Sequence, residues 1–139
     1  MTGTGTAGKA VAPEGGSTAA LLAFAADAAL IVIFAGAGRS EHAREATLAG
    51  LAETAWPFLA GLAIAWALAL VWRRPTAVLR AGVPVWIGAV AIGMLLRLAT
   101  GQGIAPAFVM VATLVLGALL VGWRLIAALV RHLLRRPRG

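Results

Sequence analysis

Asp27 is the residue of this chain whose type and position point most directly to chemistry. It interrupts the apolar stretch 18–38, TAALLAFAADAALIVIFAGAG, near its middle. A run of that length spans about one hydrocarbon core at ~1.5 Å per residue. A carboxylate at mid-membrane costs about 2.5–3.5 kcal/mol to insert, so such an acid persists where it faces protein or a water-filled cavity. A protonatable acid at that depth is what proton- or cation-coupled transport requires. The competing reading is an acid that hydrogen-bonds neighbouring helices and fixes their packing.

Depth arithmetic names partners for it. Counted from the outer ends of their runs, Asp27 lies about 16 Å deep, Trp66 about 18 Å and Thr113 roughly 12–14 Å. An indole N–H and a hydroxyl can both donate to a carboxylate, so Asp27, Trp66 and Thr113 form the candidate intramembrane polar site, with Arg97 as a fourth member. Arg97 stands near the outer end of its run, where snorkelling accounts for it. Pairing with Asp27 would require a shift of roughly a helical turn.

A second group lies in the outer loop, Arg39-Ser40-Glu41-His42-Ala43-Arg44-Glu45. Arg39 and His42 are its candidates. His42 and Glu45 are spaced i,i+3, but the ligand set is incomplete and charges of both signs alternate, which reads as a solvated loop rather than a metal site. His132, in a basic tail, reads as a headgroup-facing residue. The chain has no cysteine, which excludes disulfides, thiol chemistry and cysteine-based zinc sites. No nucleophile–base pair or nucleotide loop stands out, so neither an enzyme nor a cofactor is expected.

The elements that must hold these residues are membrane helices. The chain has 139 residues, 61% of them hydrophobic, with mean hydropathy +0.92. A soluble domain of this size could not bury so much apolar surface; a bilayer removes the need. Four apolar runs, about 18–38, 54–72, 81–98 and 104–126, predict an all-α integral membrane four-helix bundle. Prolines open three of them: Pro57, Pro84 and Pro106 are expected in first turns, where a missing N–H costs little. Ala35-Gly36-Ala37 resembles a signal cleavage site, but the first run is too long for a signal core and contains Asp27, so a retained helix is expected.

Residues 1–17 are mostly Gly, Thr and Ala and read as a disordered tail. Residues 127–139 alternate leucine with arginine at helical spacing and read as a basic amphipathic tail for anionic headgroups. The net charge is +7, but the cations sit at the ends of apolar runs, so nucleic acid is not the expected partner. Lys9, Arg73, Arg74, Arg80, Arg124, Arg131, Arg135, Arg136 and Arg138 fall on one side, against Arg39, Arg44 and Arg97 on the other. The positive-inside rule then places both termini in the cytoplasm, in a bacterial plasma membrane. Tryptophans mark the boundaries, with Trp56 outside and Trp72, Trp86 and Trp123 inside.

The two halves can be matched as similar hairpins, although arginine and tryptophan at helix ends and proline near helix starts are also what unrelated membrane helices show. Gly38-Arg39 parallels Arg97, Trp56-Pro57-Phe58 parallels Pro106-Ala107-Phe108, and Trp72-Arg73 parallels Trp123-Arg124. Small residues spaced by four (Ala63 and Ala67, Ala89 and Gly93, Ala118 and Gly122) would allow close helix approach.

Read in order, Asp27, Phe34 to Gly38-Arg39 with His42, Thr54-Ala55-Trp56-Pro57-Phe58 with Gly61, Gly93-Met94-Leu95-Leu96-Arg97, Phe108 to Val111-Ala112-Thr113, and Gly122-Trp123-Arg124 resemble a bacterial and archaeal family catalogued as domain of unknown function 3054. The resemblance covers about 21–125 and leaves both tails outside. It implies a four-span membrane protein and no particular activity. Two functions are therefore expected from the residues. One is a small proton- or ion-coupled transporter using Asp27, which in so thin a bundle calls for a homodimer with Asp27 near the interface. The other is a non-transporting membrane module that binds or stabilises a partner, with Asp27 structural.

Overall fold

The structure is a computed structural model that describes residue 3 and residues 14–41 and 47–137. Most of the tail expected to be disordered falls outside these residues, as do His42 and Glu45. Four helices follow in order: α1 (Glu14–Glu41), α2 (Leu48–Leu68), α3 (Val83–Ala99) and α4 (Pro106–Leu134). Each packs on its sequence neighbours, and α4 closes back onto α1. The fold is an all-α four-helix bundle with no strand among the described residues.

All four helices, α3 together with the Val78–Gly82 turn that leads into it, are long and apolar enough to cross a membrane. Their outward faces carry large apolar side chains such as Leu21, Ile33, Ile87, Met110, Leu114 and Ile126, all exposed. An apolar exterior over an apolar core is the arrangement lipid favours, and helices suit it because they pair their backbone polar groups within the segment. The chain is a multi-pass membrane protein.

Helix boundaries differ from those expected by a few residues to two turns, for local reasons. α1 begins at Glu14, so the last four residues of the expected tail are helical. α2 begins at Leu48, because Thr47 caps it: its hydroxyl accepts from the Gly50 N–H at 3.1 Å, satisfying one of the orphan donors of the first turn. Pro57 therefore lies inside α2 rather than in its first turn, where it offers no N–H to the Glu53 carbonyl. α4 runs on to Leu134, through most of the expected tail.

Close approach of α2 and α3 rests on missing side chains. A Cβ at Gly61 would stand 2.9 Å from the Ala89 carbonyl oxygen, and one at Gly93 would meet the Phe58 ring at 2.6 Å. Ala89 and Gly93 are thus used as a small-residue face. Ala63, Ala67 and Ala118 are exposed, and Gly122 has nothing near it. Phe34, Phe58 and Phe108 from three helices meet with centroids 5.9–6.3 Å apart.

The α2–α3 connection is not a simple loop. Leu70 adopts a left-handed conformation (φ 51, ψ 45), Val71–Arg73 form a 3₁₀ turn, and Val78–Gly82 form a π turn leading into α3. Pro84 sits just after it and cannot donate to the Arg80 carbonyl, so the chain enters α3 through a wider turn.

Candidate functional site

Asp27 lies on the inner face of α1 with no exposed surface. Ala23, Ile31, Phe34 and Ala35, at helical spacing around it, are also buried and define that face. A charge held there must be neutralised and hydrogen-bonded. Four hydrogen bonds converge on its carboxylate. Oδ2 accepts from the Trp66 indole at 3.0 Å and from Arg124 Nη2 at 2.7 Å. Oδ1 accepts from the Trp123 indole at 2.8 Å and from Arg124 Nη1 at 2.8 Å. The guanidinium and carboxylate meet fork to fork, the strongest geometry available to an ion pair.

Arg124 is itself fully buried. Its Nε donates to the Pro75 carbonyl at 2.9 Å, and Nη1 also donates to the Leu120 carbonyl at 2.8 Å. The side chain therefore joins α4 to α1 and to the α2–α3 connection at once. Gly82, in the π turn, makes room for it: a Cβ there would lie 3.1 Å from Arg124 Cδ. The guanidinium also lies 4.6 Å from the Trp123 ring centroid, within cation–π range. Phe24 meets Trp66 edge-to-face at 5.2 Å, fixing the indole that donates to Asp27.

Of the residues expected to surround Asp27, Trp66 does so and Thr113 and Arg97 do not. The Thr113 hydroxyl donates to the Val109 carbonyl of its own helix at 2.7 Å, and its carbonyl accepts from the Trp86 indole at 2.8 Å. Arg97 closes the α3–α4 turn instead: Nη1 donates to Gln102 Oε1 at 2.9 Å and Nε to the Gly103 carbonyl at 3.2 Å. Its guanidinium stacks 4.4 Å from the Phe108 centroid. Arg39 acts similarly in the first hairpin, donating to Thr54 Oγ1 at 3.2 Å. His42 lies outside the described residues.

Arg124 and Trp123 are corrections to the sequence reading, which put one among the inner cations and the other in an interfacial belt. The physical reason is direction. Helical side chains lean toward the N-terminus of their helix, and α4 enters from the end that carries the α3–α4 turn. Arg124 therefore reaches back one turn, to the level of Leu120, into the bundle rather than out of it. One signal was legible: the apolar sequence continues past Arg124 through Leu125, Ile126, Leu129 and Val130, so Arg124 is not where the hydrophobic run ends. The paired halves also diverge here, since Arg73 is exposed where Arg124 is buried.

Comparison with curated proteins and with solved structures gives no match. Residues 24–127, which carry the buried cluster, all of α2 and α3 and most of α1 and α4, match the family described as Protein of unknown function (DUF3054), and the chain belongs to that family.

Proposed function

We propose that this chain is a non-transporting membrane module, acting by binding or stabilising a partner, in which Asp27 is a structural tie. One observation carries this reading. Both Asp27 oxygens each take two hydrogen bonds from side chains of the same chain, at zero exposure. An acid that loads and releases a cation must meet water or substrate in at least one state, and must lose its partner to do so. Here the partner is a bidentate arginine, itself anchored to two backbone carbonyls. Asp27 is also turned into its own bundle, away from any face on which a second copy could share it.

In this reading both termini face the cytoplasm of a bacterial plasma membrane. Removing Arg124 from the count of inner cations leaves the arginine excess on that side intact. The end of α4 supports headgroup contact, with Arg131 and Arg135 exposed beside Leu129, Leu133 and Leu134. The chain has no cysteine, so single cysteines introduced at positions 3 and 137 can be labelled from either side of the membrane without background.

The decisive test is flux. Full-length protein reconstituted into liposomes holding a pH-sensitive dye should pass protons no faster than protein-free liposomes under an imposed gradient. A flux present in the wild type and lost in a folded Asp27→Asn variant would overturn the structural reading.

A further inference from the structure

Below the buried ion pair, at the end of the bundle where α2 ends and α3 begins, the connection encloses a cleft of about 330 Å³ lined by Arg73, Arg74 and Arg80. All three are exposed. From Thr54 to Gly139 the chain contains no Asp or Glu. Asp27, which the fold brings near this end, is fully engaged by Arg124 and the two indoles. Glu14, the first residue of α1, is the one other acid on a helix at this end. Three arginines thus line one cleft without acids in the elements that form it.

The cleft is held in shape. Arg124 fixes the Pro75 carbonyl, Arg131 donates to Thr76 Oγ1 at 3.2 Å, and the Arg73, Arg74 and Ala77 N–H groups bond back to Leu70, Val71 and Arg74 carbonyls. Ordering the backbone before a ligand arrives lowers the cost of binding it. Apolar groups flank the cations: Leu70 is 38% exposed, Trp72 48% and Leu79 77%. A ligand matching this surface carries an anionic phosphate with an acyl chain beside it.

We propose that this cleft binds a phosphate-bearing anion, seated by Arg73, Arg74 and Arg80, with an anionic phospholipid headgroup as the source the flanking leucines favour. Arginine forks match phosphate oxygens, and basic clefts between helices on the cytoplasmic side are where such headgroups bind. The residues that line the cleft lie outside α4, and the site does not depend on the role of Asp27.

Full-length protein in a neutral detergent would be titrated with short-chain phosphatidylglycerol, with phosphatidylcholine and with inorganic phosphate, counting bound molecules by native mass spectrometry. One phosphatidylglycerol should be retained in preference to phosphatidylcholine. Arg74→Gln and Arg80→Gln, made singly so that the inner arginine excess persists, should each weaken that preference about fivefold. Arg44→Gln, in the segment between α1 and α2, should leave it unchanged. Displacement of the lipid by millimolar phosphate would support the site and identify a free anion as a sufficient ligand; failure to displace it would support the site with lipid as its ligand. An undiminished preference in folded Arg74→Gln and Arg80→Gln, or a preference lost only with Arg44→Gln, would overturn the proposal.

Discussion

Replacing Arg124 by leucine leaves Asp27 with two indole donors and no counter-ion, at zero exposure. It removes fork bonds of 2.7 and 2.8 Å and strips the Pro75 and Leu120 carbonyls of their side-chain donors. Breaking a buried pair from one side costs about 3–5 kcal/mol, because the surviving charge is left unpaired. Asp27→Leu does the converse. It leaves a buried guanidinium with only carbonyl acceptors, and it orphans the Trp66 and Trp123 N–H groups, so it should cost a similar amount. The double replacement Asp27→Leu/Arg124→Leu removes both charges, and exchanging a buried pair for apolar side chains is often neutral or better. What remains is the loss of acceptors for two indoles, about 1–3 kcal/mol each. The two single costs therefore should not add: the double variant should be more stable than their sum by about 3 kcal/mol, the upper end of coupling between neighbouring residues. Unfolding of full-length protein by SDS in mixed micelles, followed by tryptophan fluorescence, reads this directly, because two of the five tryptophans donate to Asp27. Single costs below about 1 kcal/mol, or costs that simply sum in the double variant, would refute the reasoning that the pair ties α1 to α4.

Other perturbations follow from the same contacts and are read in the same titration. Trp66→Phe keeps the ring packed on Phe24 but deletes a donor 3.0 Å from Asp27, and should cost about 1–3 kcal/mol. Trp72→Phe, at a half-exposed position, should stay within about 0.5 kcal/mol. Gly61→Ala drives a methyl against the Ala89 carbonyl and should destabilise by about 1–3 kcal/mol. Gly122→Ala meets nothing and should stabilise by roughly 0.5–1 kcal/mol through helix propensity.

The four apolar runs were legible in the sequence because a bilayer imposes length and hydropathy on each span separately. No long-range contact is needed to read them. Asp27 was legible for a related reason: a carboxylate in such a run is costly wherever the other helices lie. Trp66 could be placed beside it because depth along a helix is a simple function of residue number. The start of α2 was missed because Thr47 acts through cap geometry and Pro57 is accommodated inside the helix without its N–H, neither of which hydropathy registers.

The partner of Asp27 is different in kind. Arg124 is 97 residues away in sequence and sits beside a tryptophan at what looks like a membrane boundary. Its role depends on which way its side chain leans, on the space left by Gly82 and on where the Pro75 carbonyl is brought. Each is set by the packing of three separate elements. The sequence alone determined that the chain crosses a membrane four times and carries an acid within its first span. Only the tertiary structure decided what neutralises that acid, because a side chain's reach and direction take effect only after the helices have been placed against one another.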